Sequence, residues 1–144
     1  MRTAVDWYRR AAEAGNTDAQ TFLGFCYENG TGVAQDARAA VDWYRHAAEA
    51  NNADAQTRLG NCYLSGTGVE KDARAAVDWY RRAAEAGDVD AQARLGVCYE
   101  HGAGVDASTP DSIAWYRRAA GADGDPPGAS LARTALARLG AALH

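Results

Sequence analysis

The sequence lacks several features that would assign it to a broad class of protein. No apolar run approaches the roughly 18 residues of a membrane-spanning helix, so we expect no membrane insertion. Basic residues are not in excess, and the formal net charge of −4 argues against a general affinity for nucleic acid. The first residues lack the charged-then-apolar pattern of a secretory signal, because Arg2 is followed by Thr3, Ala4, Val5 and Asp6.

Cysteine is scarce and regularly spaced, since Cys26, Cys62 and Cys98 lie 36 residues apart. Equivalent positions on adjacent packed helices are about 8–10 Å apart. A disulfide requires Cα atoms within about 7 Å. We therefore predict three reduced thiols that act as small apolar fillers. An odd number of cysteines without paired spacing favours a reducing compartment, and so the cytoplasm, with a secreted or periplasmic location as the alternative.

Residues that perform catalysis or bind metals are also sparse. His46, His101 and His144 share no metal-ligand spacing, and no serine or cysteine has a histidine placed as its base. Cys98 lies three residues before His101, but we expect Cys98 to face the core. The sequence therefore predicts a protein with no catalytic residues, no metal and no cofactor.

One helical stretch recurs throughout the chain. Its Trp-Tyr pair returns every 36 residues, at Trp7-Tyr8, Trp43-Tyr44, Trp79-Tyr80 and Trp115-Tyr116. A fixed period in this range is typical of a solenoid, in which each repeat buries its apolar face on its neighbours. We name the helix that contains this pair helix B. We expect Trp43 and Trp79 to be largely buried between repeats.

The segments between successive Trp-Tyr pairs predict a second helix, which we name helix A. Its first copy runs from about Thr17 to Asn29, with Asn16 as N-cap and Gly30 as its left-handed end. Its buried line follows helical spacing: Ala19, Leu23, Cys26 and Tyr27. A mid-helix glycine costs about 1 kcal/mol relative to alanine. We therefore expect a neighbouring side chain, with the helix B indole as the candidate, to occupy the space at Gly24, Gly60 and Gly96.

The period breaks after the fourth Trp-Tyr pair. The run from Ala93 to Gly96 reappears from Ala137 to Gly140, displaced by 44 residues. We predict a loop from Gly124 to Gly128 and a C-terminal capping helix at about 130–143. The predicted organisation is one repeat domain over residues 1–144, with helix B at 1–14 and repeats at about 16–50, 52–86 and 88–120.

The small, aromatic and glycine positions of the repeat agree at a single period. The unit reads Ala-Gln-x-x-Leu-Gly-x-Cys-Tyr-x-x-Gly-x-Gly-Val, then Asp, then Ala-Val-Asp-Trp-Tyr-Arg-Arg-Ala-Ala-Glu-Ala-Gly, with copies from Ala19 to Asn51 and from Ala55 to Gly87. This unit resembles the Sel-1-like repeat. The resemblance implies an all-α fold, a right-handed α-solenoid of antiparallel helix pairs, and an adaptor role with helix A lining the concave surface. Secreted members commonly have two bridging cysteines per repeat, whereas this chain has one.

Three helix A positions vary between repeats while the scaffold positions do not. They are spaced i, i+3, i+7 and so share one helical stripe. We name these nine residues the partner-binding stripe: Phe22, Phe25, Asn29, Arg58, Asn61, Ser65, Arg94, Val97 and His101. Two alternatives stay open. The variation is drift on a solvated face, or Phe22 and Phe25 cover the exposed N-terminal end of the repeat stack.

Paired basic residues form a second ladder on helix B, at Arg9-Arg10, Arg45-His46, Arg81-Arg82 and Arg117-Arg118. Three of these pairs follow an aspartate at i+3 and i+4, the spacing of ion pairs within a helix: Asp6, Asp42 and Asp78. We therefore interpret the ladder as a neutralised, solvated face that does not bind nucleic acid.

The sequence favours a soluble, non-enzymatic scaffold that binds a peptide or protein segment along helix A. Two other functions remain as alternatives. One is a structural subunit that self-associates through an open N-terminal face or assembles into a larger complex. The other, implied by the resemblance, is a binder of a small molecule or a bacterial cell-wall fragment in the concave groove.

Overall fold

The computed structural model describes residues 4–122 and 126–140, and within these ranges the chain forms eight α-helices and no strand. Residues 1–3 of the predicted first helix, residues 141–143 of the predicted last helix, and His144 lie outside the described residues. The all-α prediction is confirmed. The helices are α1 (Ala4–Glu13), α2 (Thr17–Asn29), α3 (Ala37–Glu49), α4 (Ala53–Ser65), α5 (Ala73–Glu85), α6 (Val89–His101), α7 (Thr109–Ala120) and α8 (Pro127–Arg138).

The chain forms two compact units, Met1–Asp72 with α1 to α4 and Ala73–His144 with α5 to α8. Within each unit, helices that follow each other in the sequence pack together, and α6 also packs against α8. The odd-numbered helices are of type B and the even-numbered helices are of type A. The single repeat domain proposed for residues 1–144 stays a prediction.

The predicted N-cap and left-handed end of the first A helix are confirmed. The Asn16 carboxamide oxygen accepts the backbone N–H of Ala19 at 2.9 Å, so it caps α2. Asp36 and Ser108 cap α3 and α7 in the same way. Gly30 ends α2 with φ +70°, in the left-handed region that glycine adopts without strain.

The A helices α2, α4 and α6 are each tied to the B helix before them by a glutamine. The side-chain amides of Gln20, Gln56 and Gln92 each donate a hydrogen bond at 3.1 Å to a carbonyl near the end of the preceding helix. Carbonyls in the last turn have no partner within their own helix. The glutamine of the repeated Ala-Gln therefore satisfies one of them in three successive helix pairs.

Tyrosine, not tryptophan, is the completely buried member of the Trp-Tyr pair. Tyr44, Tyr80 and Tyr116 have no exposed surface, whereas the indoles of Trp43 and Trp79 are only partly buried. Adjacent helical residues point about 100° apart, so the two rings cannot enter the same contact. The indoles lie toward the edge of the helix, where the Arg82 guanidinium stacks 4.6 Å from the centre of the Trp79 ring.

The glycine in the middle of helix A makes room for that tyrosine. A methyl group added at Gly24 would lie 2.5 Å from two ring carbons of Tyr44, and one at Gly96 would lie 2.6 Å from the Tyr116 ring. The prediction that a neighbouring ring needs the space is confirmed at these two positions. The proposed identity of that ring, the indole, is wrong.

The last helix begins earlier than the sequence indicated, and it ends at Arg138 instead of near residue 143. Proline is tolerated in the first turn of a helix because its missing N–H has no partner there, so α8 includes Pro127. Gly128 is buried against α6, where an added methyl group would lie 2.7 Å from the Val89 carbonyl oxygen. Both residues therefore belong to α8 and not to the predicted loop.

All three cysteines are buried and free, as predicted. Burial raises the pKa of the Cys62 thiol to about 11, with a further contribution from the nearby Glu28 carboxylate. A thiol with a raised pKa is a poor nucleophile. This agrees with a packing role for the three side chains.

Candidate functional site

The two arginines of the partner-binding stripe are less free than the sequence suggested. The sequence placed Arg58 and Arg94 on a stripe apart from the buried line of helix A, but both are half-buried. Each donates from Nε to the aspartate one turn earlier, at 3.2 Å to Asp54 and 3.1 Å to Asp90. Burial by itself would lower the pKa of the Arg58 guanidinium, but Asp54 and the Tyr44 hydroxyl outweigh that effect and raise it.

Three stripe residues meet in a groove of the first unit, between α2 and α4. Phe22 and Phe25 are each 37% exposed, and their ring centroids are 6.1 Å apart. The Arg58 guanidinium lies 5.5 Å from the centroid of the Phe25 ring. This groove has a volume of about 290 Å³, and we name it the aromatic groove after its lining: Asp18, Thr21, Phe22, Phe25, Asp54 and Arg58.

A buried tyrosine interacts with Arg58 of the aromatic groove and with Glu28. The Tyr44 hydroxyl donates a hydrogen bond to Glu28 Oε1 at 2.6 Å. Burial raises the pKa of Tyr44, and Glu28 raises it further, while Arg58 opposes the shift. The hydroxyl therefore stays protonated and acts as a donor.

The polar stripe residues of the first unit form local bonds and do not line the aromatic groove. Asn29 donates from its side chain to the Phe25 carbonyl at 3.0 Å. Ser65 Oγ donates to the Asn61 carbonyl at 2.9 Å. Both Asn29 and Ser65 are exposed polar side chains at the ends of α2 and α4.

In the second unit, Val97 and His101 line a larger groove between α6 and α8, whereas Arg94 does not. Val97 is partly buried against the core, His101 is exposed, and Leu131 on the opposite side is 42% exposed. The groove has a volume of about 580 Å³. We name it the α6–α8 groove, with this lining: Val97, His101, Tyr116, Pro127, Ser130, Leu131, Thr134, Ala135 and Arg138.

A charged cluster lies at the edge of the α6–α8 groove. Arg138 donates two hydrogen bonds to Glu100, at 2.6 Å to Oε2 and 2.9 Å to Oε1. The Tyr116 hydroxyl donates to the same Oε1 at 2.8 Å, and His101 Nε2 lies 3.6 Å from Oε2. The hydrogen bonds from Arg138, then the one from Tyr116, lower the pKa of Glu100 to about 2, against the opposing effect of burial.

Arg138 was not among the predicted site residues, although the sequence contains a signal for it. The 44-residue displacement that aligns Ala93 with Ala137 also aligns Arg94 with Arg138. Position 134, one turn earlier, is threonine, whereas Arg94 has Asp90 at the equivalent place. Arg138 therefore pairs with Glu100 on another helix, and only the packing of α8 on α6 could reveal that.

The Glu100 cluster predicts a specific pH dependence of stability. Because the folded pKa of about 2 lies below the ordinary value of 4.5, the stabilisation is fully present above pH 4.5 and is lost as pH falls toward 2. We expect Glu100→Gln to unfold at a lower temperature than the wild type at pH 7. The difference should shrink steadily between pH 4.5 and 2 in thermal melts followed by circular dichroism. A difference independent of pH would contradict the assignment of the carboxylate's role.

The basic ladder on helix B has internal partners. Arg9, Arg45 and Arg81 lie 3.7 to 4.0 Å from the aspartate three residues earlier, which confirms the predicted ion pairs. The same three side chains donate to hydroxyl groups at 2.8 to 2.9 Å, and the acceptors are Tyr27, Tyr63 and Tyr99. These Arg–Tyr bonds were not predicted from the sequence, and they tie α1, α3 and α5 to the A helix that follows each of them.

Metal sites and membrane-spanning helices were also searched for among the described residues. Over residues 4–122 and 126–140, no group of His, Cys, Asp and Glu side chains is arranged to hold a metal ion. Among the described helices, none is long and apolar enough to cross a membrane.

Consecutive packed helices that repeat at one sequence period define the α-solenoid class of repeat protein. The chain belongs to the Sel1 repeat family, whose model matches residues 1–16, 17–52, 53–88 and 89–123. Proteins of this family are generally scaffolds for protein–protein interactions and are typically not enzymes. A search of curated proteins found no match.

Several solved structures are similar to this chain. A Sel1 repeat protein from Oxalobacter formigenes is 41% identical with a TM-score of 0.83, and the match covers 94% of this chain and 54% of that one. The protein c5321, a protective antigen of uropathogenic Escherichia coli strains with an SLR fold, is 44% identical with a TM-score of 0.80 over 81% of this chain and 25% of that one. Cysteine-rich protein B of Helicobacter pylori is 33% identical with a TM-score of 0.59, over 60% of this chain and 65% of that one. The chain thus spans about half the length of the first of these proteins and a quarter of the second.

Proposed function

We propose that the chain is a scaffold that binds a peptide or protein segment on the exposed faces of its A helices. The observation that supports this most directly is that each unit has a groove on its A helices lined by residues of the partner-binding stripe. Phe22, Phe25 and Arg58 line the aromatic groove, and Val97 and His101 line the α6–α8 groove.

The aromatic groove has the chemistry of a protein-binding site. Phe22 and Phe25 are exposed, and the ring centroids of Tyr8 and Phe22 are 4.1 Å apart. Contiguous exposed apolar groups rimmed by polar residues mark interaction sites. Aromatic and arginine side chains contribute most of the binding energy at many interfaces. A partner that covers these rings would bury apolar surface without breaking the Arg58–Asp54 pair.

We expect stripe variants to lose their partner while they keep their fold. The first variant combines Phe22→Ser with Phe25→Ser, and the second combines Arg58→Gln with Arg94→Gln. Glutamine is preferred to glutamate because a new carboxylate would repel Asp54 and Asp90 one turn away. Capture of proteins from an extract of the source organism should fall at least tenfold for the first variant, because it removes the exposed rings.

The matched control is Arg38→Gln combined with Arg74→Gln. These arginines are exposed on the B helices α3 and α5, so the control makes the same change in charge away from the A helices. It should capture the same proteins as the wild type, and circular dichroism melts should show that every variant folds. If the control loses the partner, or if both stripe variants retain it, the partner does not bind at the A helices.

A second candidate function is self-assembly, and one observation favours it. Tyr8 is 37% exposed and Trp7 is 61% exposed, whereas the equivalent tyrosine in each later repeat is fully buried. Tyr8 and Phe22 therefore present adjoining apolar rings to solvent. Light scattering over a range of protein concentrations should show a dimer that Tyr8→Ser converts to a monomer. A monomer at all concentrations would count against this candidate and leave partner binding unaffected.

A further inference from the structure

We infer that the α6–α8 groove recognises an acidic peptide segment, in which an aliphatic side chain lies next to a carboxylate. The inference rests on the proposed function, because it gives the chemistry of a ligand for one part of the partner-binding surface. It is carried by three features of the second unit: the volume and apolar lining of the groove, the signs of the charges at its edge, and the free donors of one arginine.

The groove can accept an aliphatic side chain. Its volume of about 580 Å³ falls within the range of about 300–1,000 Å³ that is typical of ligand sites. Val97 and Ala135 contribute apolar surface from opposite helices, together with Leu131, whose exposed surface would be covered by a ligand. Burial of apolar surface contributes roughly 25 cal/mol per Å², so an aliphatic residue gains more here than a polar one.

The charged side chain that lines the groove is an arginine. Arg138 lies in the lining beside the imidazole of His101, and the described lining contains no aspartate or glutamate. The nearest carboxylate, Glu100, already receives hydrogen bonds from Arg138 and Tyr116. A ligand carboxylate would therefore find a guanidinium at the edge of the groove, whereas a ligand lysine or arginine would find a cation whose paired carboxylate already accepts hydrogen bonds.

Arg138 keeps the capacity to bind a second carboxylate. A guanidinium has five N–H donors in a rigid plane, and Glu100 uses two of them. The Arg138 side chain is 55% exposed, so a ligand can reach the remaining donors. Hydrogen bonds between arginine and a carboxylate are stronger than those between neutral groups.

The net charge of the chain does not decide this local preference. The formal charge of −4 would repel an acidic ligand at a distance. At physiological ionic strength, charges are screened beyond about 8 Å, so the groups in contact with the ligand dominate. We therefore expect Arg138 to select a carboxylate in spite of the acidic composition.

The test is selection of a random-sequence 12-residue phage library on the immobilised full chain, followed by fluorescence polarisation with the enriched peptides. We expect enriched peptides to have leucine, isoleucine or valine within two residues of aspartate or glutamate. In the tightest peptide, replacing the acidic residue with lysine, or the aliphatic residue with alanine, should weaken binding at least tenfold.

Variants of the chain locate the binding. Leu131→Ser changes an exposed side chain, and it should weaken binding at least tenfold with no change in the thermal melt. Arg138→Gln should weaken binding of the acidic peptide more than binding of a peptide in which asparagine replaces the acidic residue. Arg118 is an exposed arginine on α7 that does not line the groove, so Arg118→Gln should have no effect on binding. The wild-type protein can also be compared with both peptides. Its preference for the acidic peptide can be measured even if Arg138→Gln alters the Glu100 cluster.

Three outcomes would overturn the inference: enriched peptides that are basic, enrichment of no common sequence, or binding that both Leu131→Ser and Arg138→Gln leave unchanged. The proposed function is tested separately, by the capture experiment with the stripe variants. If the Phe22 and Phe25 variant loses partner capture while basic peptides win the selection, only the inference about the α6–α8 groove is wrong.

Discussion

Replacing Tyr116 with alanine is expected to lower the free energy of unfolding by about 3–5 kcal/mol, the range for removal of a buried aromatic side chain. The Tyr116 ring is completely buried and fits into the space left by Gly96. Truncation removes the ring from this space and also leaves Glu100 without one of its hydrogen-bond donors. Tyr44→Ala should have a similar effect, because Tyr44 is equally buried at Gly24 and donates to Glu28. Urea denaturation followed by circular dichroism measures the change.

Two further substitutions separate the ring from its neighbours. Tyr116→Phe keeps the ring and removes the donor to a charged acceptor, so we expect a loss of about 1.5 kcal/mol, the lower limit for such bonds, because Arg138 still pairs with Glu100. Trp43→Ala should cost less than half as much as Tyr44→Ala, because the indole is only partly buried. A larger loss at Trp43 than at Tyr44 would show that the indole, and not the phenol ring, stabilises the repeat.

The second large effect on the free energy of unfolding is expected when one methyl group is added to the core, by Gly24→Ala or Gly96→Ala. Glycine-to-alanine changes normally stabilise the interior of a helix by about 1 kcal/mol. At Gly24 and Gly96 the added methyl group would lie 2.5 and 2.6 Å from a tyrosine ring that is packed on all sides. Excess volume in a packed core costs about 1–3 kcal/mol or more. We therefore expect both variants to be destabilised by about 1–3 kcal/mol in urea denaturation.

Gly121→Ala is the matched control for these changes. Gly121 has φ −82°, which alanine adopts easily, and its nearest contact to an added methyl group is an ordinary 3.4 Å. That variant should be neutral or slightly stabilised, by up to about 1 kcal/mol. The double variant Gly96→Ala with Tyr116→Ala should lose less than the sum of the two single losses, because removal of the ring also removes the steric conflict. Additive losses would mean that Gly96 is required for some reason other than the ring.

The period of 36 residues made most of the fold predictable. Asn16 was identified as a helix cap because a cap is a local interaction between a side chain and the next turn. The free, buried state of the three cysteines followed from their spacing alone. Each of these properties depends on residues close together in the sequence or on the distance between repeats.

The choice between tyrosine and tryptophan could not be made from the sequence. Both rings are large, both recur at the same period, and helical spacing alone does not fix which of two adjacent residues faces the neighbouring helix. The glycine indicated that some ring needed space, and the packing of α2 against α3 selected Tyr44. The early start of α8 has the same origin, because Gly128 is buried against Val89 of α6, 39 residues earlier in the chain.

The sequence by itself determined the family, the helical class, the order of the helices and the positions of helix A that vary between repeats. These follow from periodicity, which is a property of the chain alone. Tertiary structure decided which side chains meet within each unit. Arg58 pairs with Asp54, and Arg138, absent from the predicted site, lines a groove together with Val97 and His101. The physical reason is that a groove and its charge depend on which side chains from different helices come within a few ångströms of each other. Its shape and charge are therefore fixed only when the helices pack.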